Sequence, residues 1–379
     1  MKRIALLGST GSIGLSALEV IDRAPWRFQV VGLAAGGNYR LLAEQASKYQ
    51  PLLASICAAD GIDQCAALNA GVEMVSGAEG LCRVATMPEA DLVLIAVAGA
   101  ASLAPTLAAV EAGKTVALAS KEALVMAGPL ILAAAKKSGA RILPVDSEHA
   151  GVFQALAGRK PEEVRRIVLP ASGGPFLHAD PASLASVTPD RALAHPTWSM
   201  GRKISIDSAT LMNKALEIIE AHWLFGLEPD RIEVVIHPQS VVHALVEMID
   251  GSVLAQLAVT DMRLPILHAL AWPERLDLEL PRLDLAQIGS LAFMPLDPER
   301  FPAPGLARRA LARGGTAPAV LAAADEALVA AFLDRKLPFT RIVPLAAEVL
   351  AAHEPRPVDS LAAALEADAW ARAEVAKRI

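Results

Sequence analysis

Asp146, Glu148 and Glu217 are three carboxylates that one hard cation can bring together. Asp146 and Glu148 alternate in Leu-Pro-Val-Asp-Ser-Glu-His (143 to 149), and an extended backbone would turn both side chains to one face. Glu217 closes the segment Asp-Ser-Ala-Thr-Leu-Met-Asn-Lys-Ala-Leu-Glu (207 to 217), which reads as a loop entering a helix. Asn213 and Lys214 lie four and three residues earlier, on the face of Glu217. Oxygen ligands with no cysteine nearby suit Mg2+ or Mn2+ rather than structural zinc. Taken alone, Glu217 paired with Lys214 on a solvated helix is the plainer reading. The motifs around it shift the balance.

A glycine-rich turn, Gly8-Ser-Thr-Gly11-Ser-Ile-Gly14, follows the first apolar run and precedes a helical pattern. Such a turn lets a pyrophosphate approach the N–H groups of a helix start. Its GxxGxxG spacing differs from GxGxxG, and a purely structural turn is the competing reading. After the second run the chain reads Gly32-Leu-Ala-Ala-Gly36-Gly37-Asn38-Tyr39-Arg40, with no acid to take ribose hydroxyls. Nothing there repels a 2'-phosphate, Asn38 can donate to one and Arg40 can add charge, so NADPH is expected over NADH. Ala119-Ser120-Lys121-Glu122 ends another apolar run, as Asp146 ends a later one. Ser120 as a helix cap is the bland alternative, but two polar strand ends at one sheet edge favour a site.

These groups need a frame. Short apolar runs at 4–7, 28–33, 92–97, 115–119 and 141–145, and a poorer one near 54–58, alternate with helical segments over the first ~150 residues, which predicts a parallel sheet wrapped by helices. Between 231 and 260 an Asp250-Gly251 turn joins β-rich flanks and predicts an antiparallel hairpin. The expected α/β architecture is an N-terminal Rossmann-type domain (1–146), a central α+β catalytic, metal-binding and dimerisation domain with hairpin and flexible flap (147–272), a linker (273–304) and a small C-terminal helical domain (305–379).

The chain has 379 residues and a formal charge of −6, which argues against a nucleic-acid partner. Cys57, Cys65 and Cys82 have neither metal-ligand nor redox-motif spacing, so a reducing cytoplasm is expected. Met-Lys-Arg leads directly into the first run, so no signal or transit peptide is expected. The uncharged stretch 92–110 is long enough to raise a membrane span, but Gly99, Ser102, Pro105 and Thr106 divide it into a buried strand, turn and helix.

Together these motifs, with Ala-Ser-Gly-Gly-Pro-Phe (171 to 176), His-Pro-Thr-Trp-Ser-Met-Gly-Arg-Lys-Ile-Ser (195 to 205) and Ile-His-Pro-Gln-Ser (236 to 240), resemble the 1-deoxy-D-xylulose 5-phosphate reductoisomerases of non-mevalonate isoprenoid synthesis. The resemblance implies a homodimeric enzyme that rearranges and then reduces a sugar phosphate. Thr10, Gly11, Ser12, Ile13, Gly36, Gly37 and Asn38 would hold NADPH, with Ser120, Glu122 and Gly201 near its nicotinamide end. Asp146, Glu148 and Glu217 would ligate the metal. Lys121 and Ser147 would meet the substrate's oxygenated carbons, and Ser172, Ser208, Asn213 and Lys214, helped by His195, its phosphate. Two positions depart from the family: Ser120 stands where Asn is usual, and Gly37 where a basic residue is common, which weakens NADPH selection unless Arg40 compensates. From the residues themselves, Trp198 in a Pro- and Gly-bearing segment suits a lid, although it can also anchor a loop on the core. His237 and His243 read as structural or supporting. His149 can brace a ligating carboxylate or simply be buried. An ordinary NADPH-dependent sugar-phosphate dehydrogenase and a non-catalytic NADPH sensor are the alternatives; the carboxylate set and Lys121 argue against both.

Overall fold

A computed structural model describes residues 1–58, 71–198 and 200–379; Cys65 lies outside them. The chain forms two compact units.

The first unit comprises Met1–Ala123, Leu130–Ala150 and Asp261–Leu280. Its strands are β1 (Lys2–Leu7), β2 (Phe28–Ala35), β3 (Leu53–Ile56), β4 (Glu73–Ser76), β5 (Leu92–Ile95), β6 (Thr115–Leu118) and β7 (Arg141–Pro144). They form one parallel sheet in the order β4-β3-β2-β1-β5-β6-β7. Past the polar first residues Lys2, Arg3 and Thr115, the central strands are apolar and buried, as a sheet covered on both faces requires. β4 escapes an apolar-run reading because it is a partly exposed edge strand. Strand order reverses between β1 and β5, and the crevice at their carboxyl ends is where such sheets bind ligands. Residues 92–95 are the expected buried strand. Among the described residues, no helix is long and apolar enough to cross a membrane.

The second unit holds Leu124–Pro129, Gly151–Thr260 and Pro281–Ile379. β8 (Val164–Ala171), β9 (Ile232–Ile236), β10 (Val242–Met248), β11 (Val253–Leu257) and β12 (Met294–Pro295) form a mixed sheet ordered β11-β10-β8-β9-β12. The hairpin expected at Asp250-Gly251 is the antiparallel pair β10–β11. β9 is not part of it: it runs parallel to β8, a strand the sequence reading did not find. Pro170 sits inside β8 because β10 pairs only with residues 164 to 168, so the missing N–H interrupts no bond on that side. The stretch expected as a linker carries a short helix, Leu285–Ile288, and β12. Four helices, Ala303–Arg313, Ala317–Leu333, Ile342–Ala352 and Leu361–Ala376, make the helical tail. The compact units thus cut the chain elsewhere than the expected domain bounds, since Asp261–Leu280 belongs to the first and the tail to the second.

Candidate active site

In the first unit β1 ends at Leu7 and the chain turns at Gly8, whose φ is +86°. A Cβ on Gly8 would lie 2.1 Å from the Ala96 carbonyl oxygen, just past β5, and one on Gly14 would lie 2.2 Å from the Gly8 oxygen. These two glycines are required by the turn itself. Gly11 is different: its nearest neighbour would be 3.4 Å away, and it is exposed at the start of helix Ser12–Arg23, which no side chain caps. That helix start presents N–H groups at the switch point, a cradle fit for a pyrophosphate. Ser9 and Gln45, not singled out in the sequence, lock the turn from behind: Ser9 Oγ donates to Gln45 Oε1 at 2.7 Å, and Gln45 Nε2 to the Ser9 carbonyl at 3.0 Å, both buried. Gly14→Ala should therefore lower stability by about 1–3 kcal/mol through overpacking, whereas Gly11→Ala should leave the melting temperature nearly unchanged and weaken NADPH binding; thermal melts and cofactor titration check both.

Gly36, Gly37 and Asn38 are exposed beyond β2. Asn38 caps helix Tyr39–Tyr49, its Oδ1 accepting from the Leu41 N–H at 3.2 Å. Arg40 is exposed, with Nε 3.3 Å from the Tyr39 hydroxyl.

Ser120 does not cap the helix it precedes, Lys121–Ser138. Its Oγ donates instead to the Val97 carbonyl at 2.6 Å, tying the end of β6 to the end of β5. Glu122 stands in the first turn of the same helix. The two polar strand ends do meet, because Lys121 forms an ion pair with Asp146 beyond neighbouring β7. Asp146 and Glu148 are not on an extended segment, however: Ser147–Ala155 is an α-helix, with Glu148 in its first turn. The alternation argument fails, yet a carboxylate oxygen of each lies within 4.8 Å of the other. Ser147 Oγ donates to Glu148, and buried His149 places Nδ1 3.9 Å from Asp146 Oδ2. All-oxygen donors with an imidazole beside them fit a hard divalent cation.

In the second unit β8 delivers Ser172. Its Oγ accepts from the Gly174 N–H at 3.2 Å and lies 3.0 Å from His195 Nε2. His195 Nδ1 in turn accepts from the N–H groups of Thr197, at 3.2 Å, and Trp198, at 3.0 Å. An Nδ1 that accepts carries no proton, so the neutral ring donates through Nε2 to Ser172. With two donors directed at it, Ser172 has its own O–H to offer an anion. Burial pushes the His195 pKa below the ordinary 6.5. The ring accordingly stays neutral as pH falls through 6.5 and loses its two accepted bonds only below that, where the unfolded chain already binds a proton and stability declines. Ring-nitrogen NMR should show an Nε2–H tautomer titrating below 6.5; an Nδ1–H tautomer, or a midpoint at or above 6.5, would contradict this.

Gly174 has φ +66°, and a Cβ there would lie 2.8 Å from the Ser208 carbonyl oxygen, so the Ser172 loop packs against helix Arg202–Thr210 at Ser208. Leu211 is left-handed at φ 57° and separates that helix from Met212–Phe225, which carries Asn213, Lys214 and Glu217. Glu217 is fully buried, and Asn213 Nδ2 and Lys214 Nζ each reach one of its oxygens at 2.5 Å. It does pair with Lys214, but in the interior rather than on a solvated face, where a carboxylate is costly and needs a reason beyond stability. Gly201 begins helix Arg202–Thr210, and the described residues between 194 and 201 form neither helix nor strand. Trp198 is half-buried, its ring 6.2 Å from that of buried His243. His237 is structural: Nδ1 donates to the Ala292 carbonyl at 2.8 Å and Nε2 accepts from the Val242 N–H at 3.2 Å.

Family models match most of the chain: 1-deoxy-D-xylulose 5-phosphate reductoisomerase over residues 4–128, its C-terminal domain over 142–225, and a further DXP reductoisomerase C-terminal domain over 257–374. The 1-deoxy-D-xylulose 5-phosphate reductoisomerase of Anaeromyxobacter dehalogenans is 54% identical over 385 residues, covering 100% of this chain and 97% of the relative. That of Symbiobacterium thermophilum is 54% identical, over 98% of this chain and 97% of its own length. The Zymomonas mobilis reductoisomerase in complex with NADPH superposes with a TM-score of 0.93 at 44% identity, over 100% of this chain and 98% of that one. A DOX-P reductoisomerase in complex with NADPH, fosmidomycin and magnesium gives a TM-score of 0.93 at 40% identity with the same coverage. The chain belongs to the 1-deoxy-D-xylulose 5-phosphate reductoisomerase family.

Proposed function

We infer that this chain is an NADPH- and divalent-metal-dependent oxidoreductase that converts 1-deoxy-D-xylulose 5-phosphate to 2-C-methyl-D-erythritol 4-phosphate in non-mevalonate isoprenoid synthesis, rearranging the skeleton before reducing it. The observation that carries this is identity of about half the residues along the whole length of reductoisomerase relatives. NADPH oxidation with 1-deoxy-D-xylulose 5-phosphate, with and without Mg2+ or Mn2+, tests it when the product is identified. A branched product formed only with metal is expected; simple ketone reduction would indicate an ordinary dehydrogenase.

In this reading Thr10 to Ile13 receive the pyrophosphate on the open helix start, while Gly36, Gly37 and Asn38 border the 2'-phosphate. Ser120, Glu122 and Gly201 lie toward the nicotinamide, which supplies the hydride. Asp146, Glu148 and Glu217 hold one divalent ion, which when bound polarises the substrate's ketone and neighbouring hydroxyl. His149 steadies Asp146. Lys121, already oriented by Asp146, stabilises oxyanion character on the substrate, and Ser147 donates beside it. Ser172, set by His195 and Gly174, takes the phosphate with Ser208, Asn213 and Lys214, an arrangement of hydroxyls, amide and ammonium suited to that anion. Phosphate binding contributes remote binding energy that closes Trp198 over the reacting carbons and excludes water.

NADPH is expected to have the higher kcat/KM; equal values with NADH would contradict the cofactor assignment. Nothing lies within 4 Å of a Cβ built on Gly37, so Gly37→Arg fits without strain and should widen the preference several-fold, read from the two kcat/KM values.

The protein acts as a homodimer in this reading. β11 is an edge strand with Val253 exposed, and Ile249 beside the hairpin turn is exposed too, apolar groups that a second copy would cover. A monomer by sedimentation at micromolar concentration would contradict it. Cysteines without pairing spacing support a cytoplasmic setting.

A further inference from the structure

Helix Arg202–Thr210 carries a charge cluster outside the groups assigned above. Lys203 Nζ lies 2.6 Å from Asp207 Oδ2 and 2.7 Å from Asp325 Oδ2. Asp325 is fully buried in the middle of helix Ala317–Leu333, among Ala322, Ala323, Ala324, Leu328 and Val329, and Asp207 is almost as deeply buried. Two carboxylates share one ammonium here. Apolar side chains would join these helices at lower desolvation cost, so a buried ionic contact is explained better by what it orients than by what it stabilises. Its position says what that is: Lys203 follows the flap's last residue, Gly201, by two, and Asp207 immediately precedes Ser208.

We propose that Asp325 is a positioning residue for the sugar-phosphate site. Through Lys203 and Asp207 it sets the rotation of helix Arg202–Thr210, and with it the aim of Ser208 and the anchorage of the flap's end. The helical tail is then a working part of phosphate recognition. This rests on the reading that Ser208 binds the phosphate. A charged side chain held in ion pairs by two buried carboxylates resists helix rotation more than apolar packing does, because turning the helix would separate charges that have no water to replace their partners.

The experiment compares Asp325→Asn, Lys203→Gln and Ser208→Ala in the full-length enzyme. It measures KM and kcat for 1-deoxy-D-xylulose 5-phosphate, NADPH affinity, and deuterium exchange across 195–210. Asp325→Asn is expected to raise the substrate KM about tenfold or more with NADPH affinity unchanged, and to speed exchange in 202–210. A purely structural role would lower the melting temperature without that split. If Asp325→Asn does not fold, Lys203→Gln, altered at the partly exposed member of the cluster, decides by the same measurements. A raised KM in Ser208→Ala with an unchanged KM in the cluster variants would overturn the proposal. An unchanged KM in Ser208→Ala would overturn instead the phosphate reading beneath it.

Discussion

Glu217→Gln is expected to reduce turnover of 1-deoxy-D-xylulose 5-phosphate by roughly a hundredfold to a thousandfold, with a raised metal requirement. The substitution keeps the shape but removes the charge and turns one of the two accepting oxygens into an NH2 donor. A neutral amide is a weak ligand for a hard cation, and Asn213 and Lys214 then face a group that no longer answers the ammonium's charge. Because the pair is buried, a lower melting temperature should accompany the loss, on the order of 3–5 kcal/mol where one partner of a buried pair is removed. Rates must therefore be read well below the melt, as a function of Mn2+ concentration. Wild-type turnover at ordinary metal concentration would remove Glu217 from the metal site.

The second large effect is at Trp198. Trp198→Ala should reduce kcat/KM for the sugar phosphate by about a hundredfold, the scale expected when a substrate is no longer held in reacting geometry, while NADPH affinity changes little. The segment has the structure for it. Pro196 and Gly201 keep the described residues of 195–201 out of regular elements, and His195 links the Trp198 backbone to Ser172. A ligand that engages Ser172 therefore acts on the same imidazole that holds the base of the flap. A phosphonate bearing a hydroxamate should slow deuterium exchange and protease nicking across 195–201. Unchanged protection at saturating ligand would make Trp198 part of a fixed wall.

Much of this was legible in the sequence because each signal had one local cause. Gly8 and Gly14 mark a turn that admits no side chain, and that turn sits where the strand order reverses. Asp250-Gly251 fixes a hairpin by backbone chirality. What was missed depends on contacts distant in sequence. β4 reads as polar because it is an edge, and β8 is masked by Arg165, Arg166 and Pro170, whose acceptability depends on where β10 stops pairing. Asp146 and Glu148 approach each other for a reason opposite to the one alternation suggested, since a helix begins between them. Ser120 illustrates the same limit: a hydroxyl before a helix looks like a cap, but the Val97 carbonyl from a neighbouring strand end claims it. The tautomer of His195 is set by the loop geometry that turns the Thr197 and Trp198 N–H groups onto its Nδ1, and the grip of Asp325 on Lys203 by a tertiary neighbour that no spacing rule reaches.

The most direct test of the account is Mn2+ binding followed by electron paramagnetic resonance in the wild type and in Asp146→Asn, Glu148→Gln and Glu217→Gln, without substrate or turnover. One ion per chain is expected, with affinity weakened at least about tenfold by each substitution, as for the loss of one charged ligand from a three-carboxylate site. Wild-type Mn2+ affinity in Glu217→Gln, or a second equivalent of tightly bound ion, would contradict the claim that these three carboxylates serve one metal.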